Sequence, residues 1–176
     1  MIILEILKYT LPSIVVFITA YFLFKEQSKK EVELEKIEQQ NRAMEKTQEV
    51  LLPVKIQAYE RLMLFLQRIH PNQLVIRNSN KDQNIVQLQA ALIKSVRDEF
   101  EHNMSQQLYV TDKSWQKVSN AKEECLKQIN FSASKLNSDV KGNELGALLI
   151  NNFGQLNPNP IQQAIEQLKN DLNQGL

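Results

Sequence analysis

The amino-acid sequence predicts an all-α protein: an N-terminal transmembrane helix, a charged helical stalk, then a small helical bundle. Three features of the chain point there. The first 24 residues form an apolar run that ends at Lys25, with no charge from Tyr9 to Phe24. Glycine and proline are scarce, at four and five, so few positions interrupt a helix. Beyond the run, apolar residues recur three and four apart, which is the helical period. The expected divisions are an anchor at 1–24, a stalk at 25–52 and a helical domain at 53–176.

The anchor is the boldest of these expectations. The uncharged stretch Tyr9–Phe24 is 16 residues long. As helix it rises about 24 Å, short of a hydrocarbon core of roughly 30 Å. Starting at Ile2 lengthens it to roughly 36 Å but places Glu5 and Lys8 near the outer interface. There the two pair at i,i+3, while Tyr9 and Tyr21 serve as interfacial anchors. A cleaved signal peptide is the first alternative, but Glu5 cancels Lys8, and Ala20-Tyr21-Phe22 is a poor cleavage site. A buried core helix and an interfacial helix are the others. Lys25, Lys29, Lys30 and Lys36 follow the run and only Lys8 precedes it. The positive-inside rule then expects a single-pass protein of the cell inner membrane, touching the lipid bilayer through residues 1–24. The bulk of the chain is expected in the cytoplasm, in keeping with a lone cysteine, Cys125.

The stalk is charged throughout. Glu26/Lys30 and Glu38/Arg42 are i,i+4 pairs, worth about 0.3 kcal/mol each. A coiled-coil heptad threads Leu34, Ile37, Asn41, Met44, Gln48 and Leu51, with half of its seam polar. In a parallel homodimer Glu33 would face Glu38 of the partner helix. The soluble part is therefore expected to be monomeric. Pro53 either opens a new helix or lets the old one continue with a kink.

The domain should begin with a helix to Ile69, carrying Ile56, Tyr59, Leu62, Met63, Leu66 and Ile69 and stopped by His70-Pro71. Leu74-Val75-Ile76 is a short apolar patch. Asp82 is the candidate N-cap of a helix through Ile85, Leu88, Leu92, Val96 and Phe100 to about Gln107. Thr111 or Asp112 caps the next, with Trp115, Val118, Cys125 and Ile129 on its stripe. Leu145–Ile150 is a short apolar helix, and Pro160 opens a last one with Ile161, Ala164 and Leu168.

Little in this pattern carries chemistry. Net charge is +1, from 21 basic and 20 acidic residues, without the basic stripe of a nucleic-acid binder. Glu99-x-x-His102 has the spacing of one half of a di-iron bundle site. The second half is missing, because Gln67 stands where His70 would need a carboxylate. No phosphate loop or paired-cysteine motif is present. No catalytic, cofactor-binding or metal residue is therefore assigned, and no cofactor is expected. Cys125 reads as a small buried hydrophobe, with a Cys–His nucleophile as its alternative. Met63, Met104, Phe65, Phe100 and Trp115 read as core, and the glutamine-rich end, Gln155–Gln174, as a solvated face. Glu99, His102, Asn103 and Gln106, spaced i, i+3, i+4 and i+7, form one polar strip beside the apolar line. It is expected to tie the bundle together structurally, a fully solvated strip being the alternative.

The segment Glu99-Phe100-Glu101-His102-Asn103-Met104-Ser105-Gln106-Gln107-Leu108-Tyr109-Val110, with Trp115 and Lys122-Glu123-Glu124, resembles a family of uncharacterised proteins from Bacteroidota-type bacteria. The resemblance covers nearly the whole chain. It implies one N-terminal span, a charged stalk, a helical domain and an inner-membrane setting. It implies no activity and assigns no functional residue. The functional expectation is thus a membrane-anchored cytoplasmic interaction or scaffolding protein, not an enzyme, with an unknown protein partner. An accessory or regulatory subunit of a larger membrane complex is the alternative. A metal-dependent or thiol enzyme would need His102 or Cys125 at a cleft.

Overall fold

A computed structural model describes the backbone of residues 2–137 and 140–174, and side chains within these ranges except at 2–14, 31 and 32. Each regular element is a helix: α1 (Ile2–Ile69), α2 (Pro71–Asn78), α3 (Ile85–His102), α4 (Asp112–Ser134), α5 (Gly142–Gly154) and α6 (Pro160–Gln174). A 3₁₀ turn, Met104–Leu108, links α3 to α4. The chain divides into two compact units, Met1–Leu51 and Leu52–Leu176.

The first unit belongs to α1. Its described side chains are exposed, with Ala20 half-buried. Arg42 reaches Glu38 at 3.1 Å, the i,i+4 pair its spacing predicts, and both ends stay well exposed. An exposed pair of this kind contributes a few tenths of a kcal/mol, about 0.3–0.5.

The expected transmembrane helix at Met1–Phe24 is corrected here. Among the described residues no helix is long and apolar enough to cross a membrane. The physical reason is length. The uncharged run Tyr9–Phe24 amounts to about 24 Å of helix. Lengthening it takes in Lys8 and Glu5 at one end or Lys25 and Glu26 at the other. Single-pass placement in an inner membrane rested on that span and falls with it. The proposed Glu5–Lys8 pair and the Tyr9 anchor lie outside the described side chains.

At Pro53, continuity is what occurs, and α1 runs on to Ile69. Proline leaves the Glu49 carbonyl without its helical donor. Residues 49 and 53 are both exposed, which leaves that carbonyl open to solvent.

The second unit contains the last turns of α1 and all of α2–α6. Its core is built from stripes at three-and-four spacing: Leu62, Phe65, Leu66 and Ile69 of α1; Leu88, Leu92 and Val96 of α3; Val118, Ala121, Cys125 and Ile129 of α4. Leu145, Leu149 and Phe153 of α5 and Ile161, Ala164 and Leu168 of α6 complete it. The helix α4 packs against α3, α5 and α6, and α3 packs against α2, α4 and α5. Gly146 lets α5 approach α2, since a Cβ there would sit 2.7 Å from Val75 Cγ1.

Local chemistry sets the ends. The apolar patch at Leu74–Ile76 is part of α2, with Pro71 in its first turn. The cap of α3 is Asn84, not Asp82. Asn84 Oδ1 accepts from the Gln87 amide at 2.9 Å, and Gln87 Oε1 accepts from the Asn84 amide at 3.2 Å. Asp82 has Ile85 three residues on, whereas Asn84 has Gln87 and so closes a capping box. Helix α3 also stops earlier than its apolar period suggests. Asn103 fills the next inward position, and its side-chain amide donates to the Glu99 carbonyl at 2.8 Å. Thr111 caps α4 by accepting from the Ser114 amide, and Asn159 caps α6 by accepting from the amides of Ile161 and Gln162.

Candidate functional site

The four residues of the polar strip do not share one environment, because α3 ends inside the strip. Glu99 is the best connected. Its carboxylate accepts two 3.1 Å bonds from Arg68 Nη1 and lies 3.6 Å from Arg77. It thereby joins α1, α2 and α3. Asn103 is buried and turned back onto the end of α3. His102 is exposed, on a shallow groove it shares with Arg68, Lys94, Asp98 and Glu99. The side chain of Gln106, in the 3₁₀ turn, donates to its neighbour Ser105 at 3.3 Å. The structure thus brings Glu99 and Asn103 together and leaves His102 and Gln106 at the surface and in the turn.

A second polar cluster had no spacing signal. Asp171 of α6 meets the start of α4: Ser114 Oγ donates to Asp171 Oδ2 at 2.6 Å, and Thr111 Oγ1 donates to the same oxygen. Gln167 Nε2 donates to Asp171 Oδ1 at 2.7 Å. Burial raises the Asp171 pKa, but the bonds from Ser114, Thr111 and Gln167, with the charge of Lys113, outweigh it and hold the carboxyl below its ordinary value. Tyr59, also buried, is raised by desolvation and by the Asp171 charge, against a bond from the Thr111 backbone. The cluster fastens the C-terminal part of α1, α4 and α6. Part of the glutamine-rich end is thus engaged rather than solvated: Gln167 holds Asp171, and Gln163 accepts from Lys117 at 3.2 Å.

The nucleophile candidate is enclosed. Cys125 is fully buried, its thiol donating to the Ile69 carbonyl at 3.3 Å, and burial pushes its pKa up to about 12. The thiolate is the reactive form, so this thiol is inert while the fold is closed. A maleimide at pH 8 is expected to leave Cys125 unlabelled in the native protein and to label it fully in denaturant. Rapid native labelling would mean that α1 and α4 separate easily at this point. His70 makes an edge contact with Phe153 at 6.0 Å, and burial lowers its pKa. Among the described residues no group of three or more His, Cys, Asp and Glu is placed to hold a metal ion. Of the residues read as core, Phe65 is buried, and Phe100 and Trp115 stack at 5.4 Å at its edge. Met104, displaced into the 3₁₀ turn, is 43% exposed.

On the second unit an apolar groove of about 390 Å³ runs between Ile56, Tyr59, Met63 and Leu64 of α1 and Leu168 and Leu172 of α6. On the first unit, α1 exposes Val15, Val16, Phe17, Ile18, Tyr21, Phe22, Leu23 and Phe24 at 51–79%. These residues surround the helix rather than lining one face. The chain belongs to a family of unknown function, DUF7935, whose model matches residues 1–175. No curated protein and no solved structure matches it.

Proposed function

For this member of a family of unknown function we propose a non-enzymatic role: an interaction or scaffolding protein that holds a protein partner through α1. The observation that supports it is the exposed apolar segment Val15–Phe24. Contiguous exposed apolar surface of this kind marks a binding site or a liability to aggregate. Full burial of a fully exposed side chain of this kind is worth about 1.5–3 kcal/mol, so eight of them, each more than half exposed, favour a partner that covers them. A helix apolar on all sides is satisfied by several helices around it, not by a single groove. An accessory subunit of a larger assembly is one form of this role.

The test is a photo-crosslinking amino acid placed at Phe17, and separately at Phe22, in the full chain within its native cell. Discrete protein adducts are expected at both sites, and none from the same probe at the exposed Lys94 of α3. Adducts to lipid alone, or no adducts at either site, would overturn the reading.

A further inference from the structure

We infer that the segment Glu33–Leu51 of α1 pairs with a helix of another protein whose flanking positions carry lysine or arginine. The inference rests on the proposed interaction role and specifies the chemistry of the partner.

The seam is the starting point. Leu34, Ile37, Met44 and Leu51 fall on the inner heptad positions and are 61%, 48%, 69% and 43% exposed. They form one stripe along about 26 Å of helix. Asn41 and Gln48 occupy the remaining inner positions. A polar inner residue lowers the stability of a coiled coil but fixes its register.

Charge around the seam is sorted. Glu33 lies on one flank, and Glu38 and Glu45 lie on the other. The basic residues Lys36, Arg42 and Lys46 are on the outer positions, away from the seam, together with Glu35 and Glu49. All eight are exposed. This sorting decides between occupants. A second copy of the chain would set Glu33 against Glu38 in a parallel pair. In an antiparallel pair each flank meets its own kind, again carboxylate on carboxylate. Like charges at these positions oppose pairing, and opposite charges select the partner. A helix with lysine or arginine on both flanks turns the same carboxylates into attractions. Glu38 already holds Arg42 at 3.1 Å, but that pair is solvent-exposed and readily exchanged for a closer one.

Two labelled synthetic helices of about four heptads serve as probes. Both carry the same leucine and isoleucine seam with one asparagine to meet Asn41. One has lysine at every flanking position, the other glutamate. Binding to the full chain is read by fluorescence anisotropy at about 0.05 M and about 0.5 M salt. The lysine probe is expected to bind at least about tenfold tighter at low salt, with the preference shrinking at high salt. Triple substitution Glu33→Lys, Glu38→Lys, Glu45→Lys should reverse the preference. Ile37→Asp, which keeps all three flanking carboxylates, should abolish binding of the lysine probe. These positions are exposed, and circular dichroism checks that each variant keeps its helices.

Equal binding of both probes, no binding of the lysine probe, or lysine-probe binding that survives Ile37→Asp overturns the inference. The last outcome would mean attraction to acid alone. Failure here leaves the proposed interaction role standing if Phe17 and Phe22 still give discrete protein adducts. Loss of those adducts would remove that role itself.

Discussion

Replacing Phe65 with alanine is expected to lower the stability of the helical unit by about 3–5 kcal/mol, the range for emptying a buried phenylalanine site. Phe65 is 1% exposed and is among the largest fully buried side chains. Its ring lies 5.7 Å from that of Phe100, which stacks on Trp115 and carries Lys122 Nζ at 4.4 Å over its face. The cavity would thus open under a layered edge of the core, where α1, α3 and α4 meet. Those helices cannot collapse into the space without breaking the Phe100–Trp115 stack. A domain of this size is stable by about 5–15 kcal/mol, so the loss is a large fraction of the whole. Thermal melting should fall by roughly 10–20 °C. Phe65→Leu, which keeps most of the volume, should lose less than half as much. A melting temperature within a few degrees of the wild type for Phe65→Ala would show that the unit is far less tightly packed than its burial indicates.

Asp171→Ala is expected to cost about 1–3 kcal/mol, because it strands the hydroxyl of Ser114, which is 0% exposed. Thr111 and Gln167 lose the same acceptor, but both reach water more readily. The carboxylate also sets a pH dependence. Its pKa in the folded protein is held below the ordinary value of 3.8, while in the unfolded chain it returns to that value. A depressed carboxyl pKa adds stability that is fully present above the unfolded pKa. That stability is lost as pH falls through the folded pKa. The wild type should therefore weaken below about pH 4, beyond what its other carboxylates explain. Asp171→Asn keeps an acceptor oxygen and removes the titration, so it should be less stable at pH 7 and lose less on acidification. Urea midpoints measured from pH 7 to pH 3 check this. Parallel curves for the wild type and Asp171→Asn would show that the charge of Asp171 contributes nothing to stability.

Much of the helical unit follows from spacing alone. Ile161, Ala164 and Leu168, or Leu88, Leu92 and Val96, are buried where the helical period puts them, because a helix buries one face whatever covers it. Caps are equally local: Thr111 before α4 and Pro160 at the start of α6 act within one turn. Asn84 was legible too, through the glutamine three residues later, although the nearer acid Asp82 draws the eye first. The limit on the apolar run was also present in the chain, since its uncharged length falls short of a bilayer core.

The polar pairs are a different matter. Arg68 meets Glu99 across 31 residues, Ser114 meets Asp171 across 57, and Thr111 meets it across 60. The helical period relates residues within a few turns, and it carries no information about which helix lies opposite. Glu99 and His102 look alike along the sequence, yet one holds an arginine from another helix and the other faces water. That difference is set by where α1 and α2 come to lie against α3, a matter of packing a whole core at once.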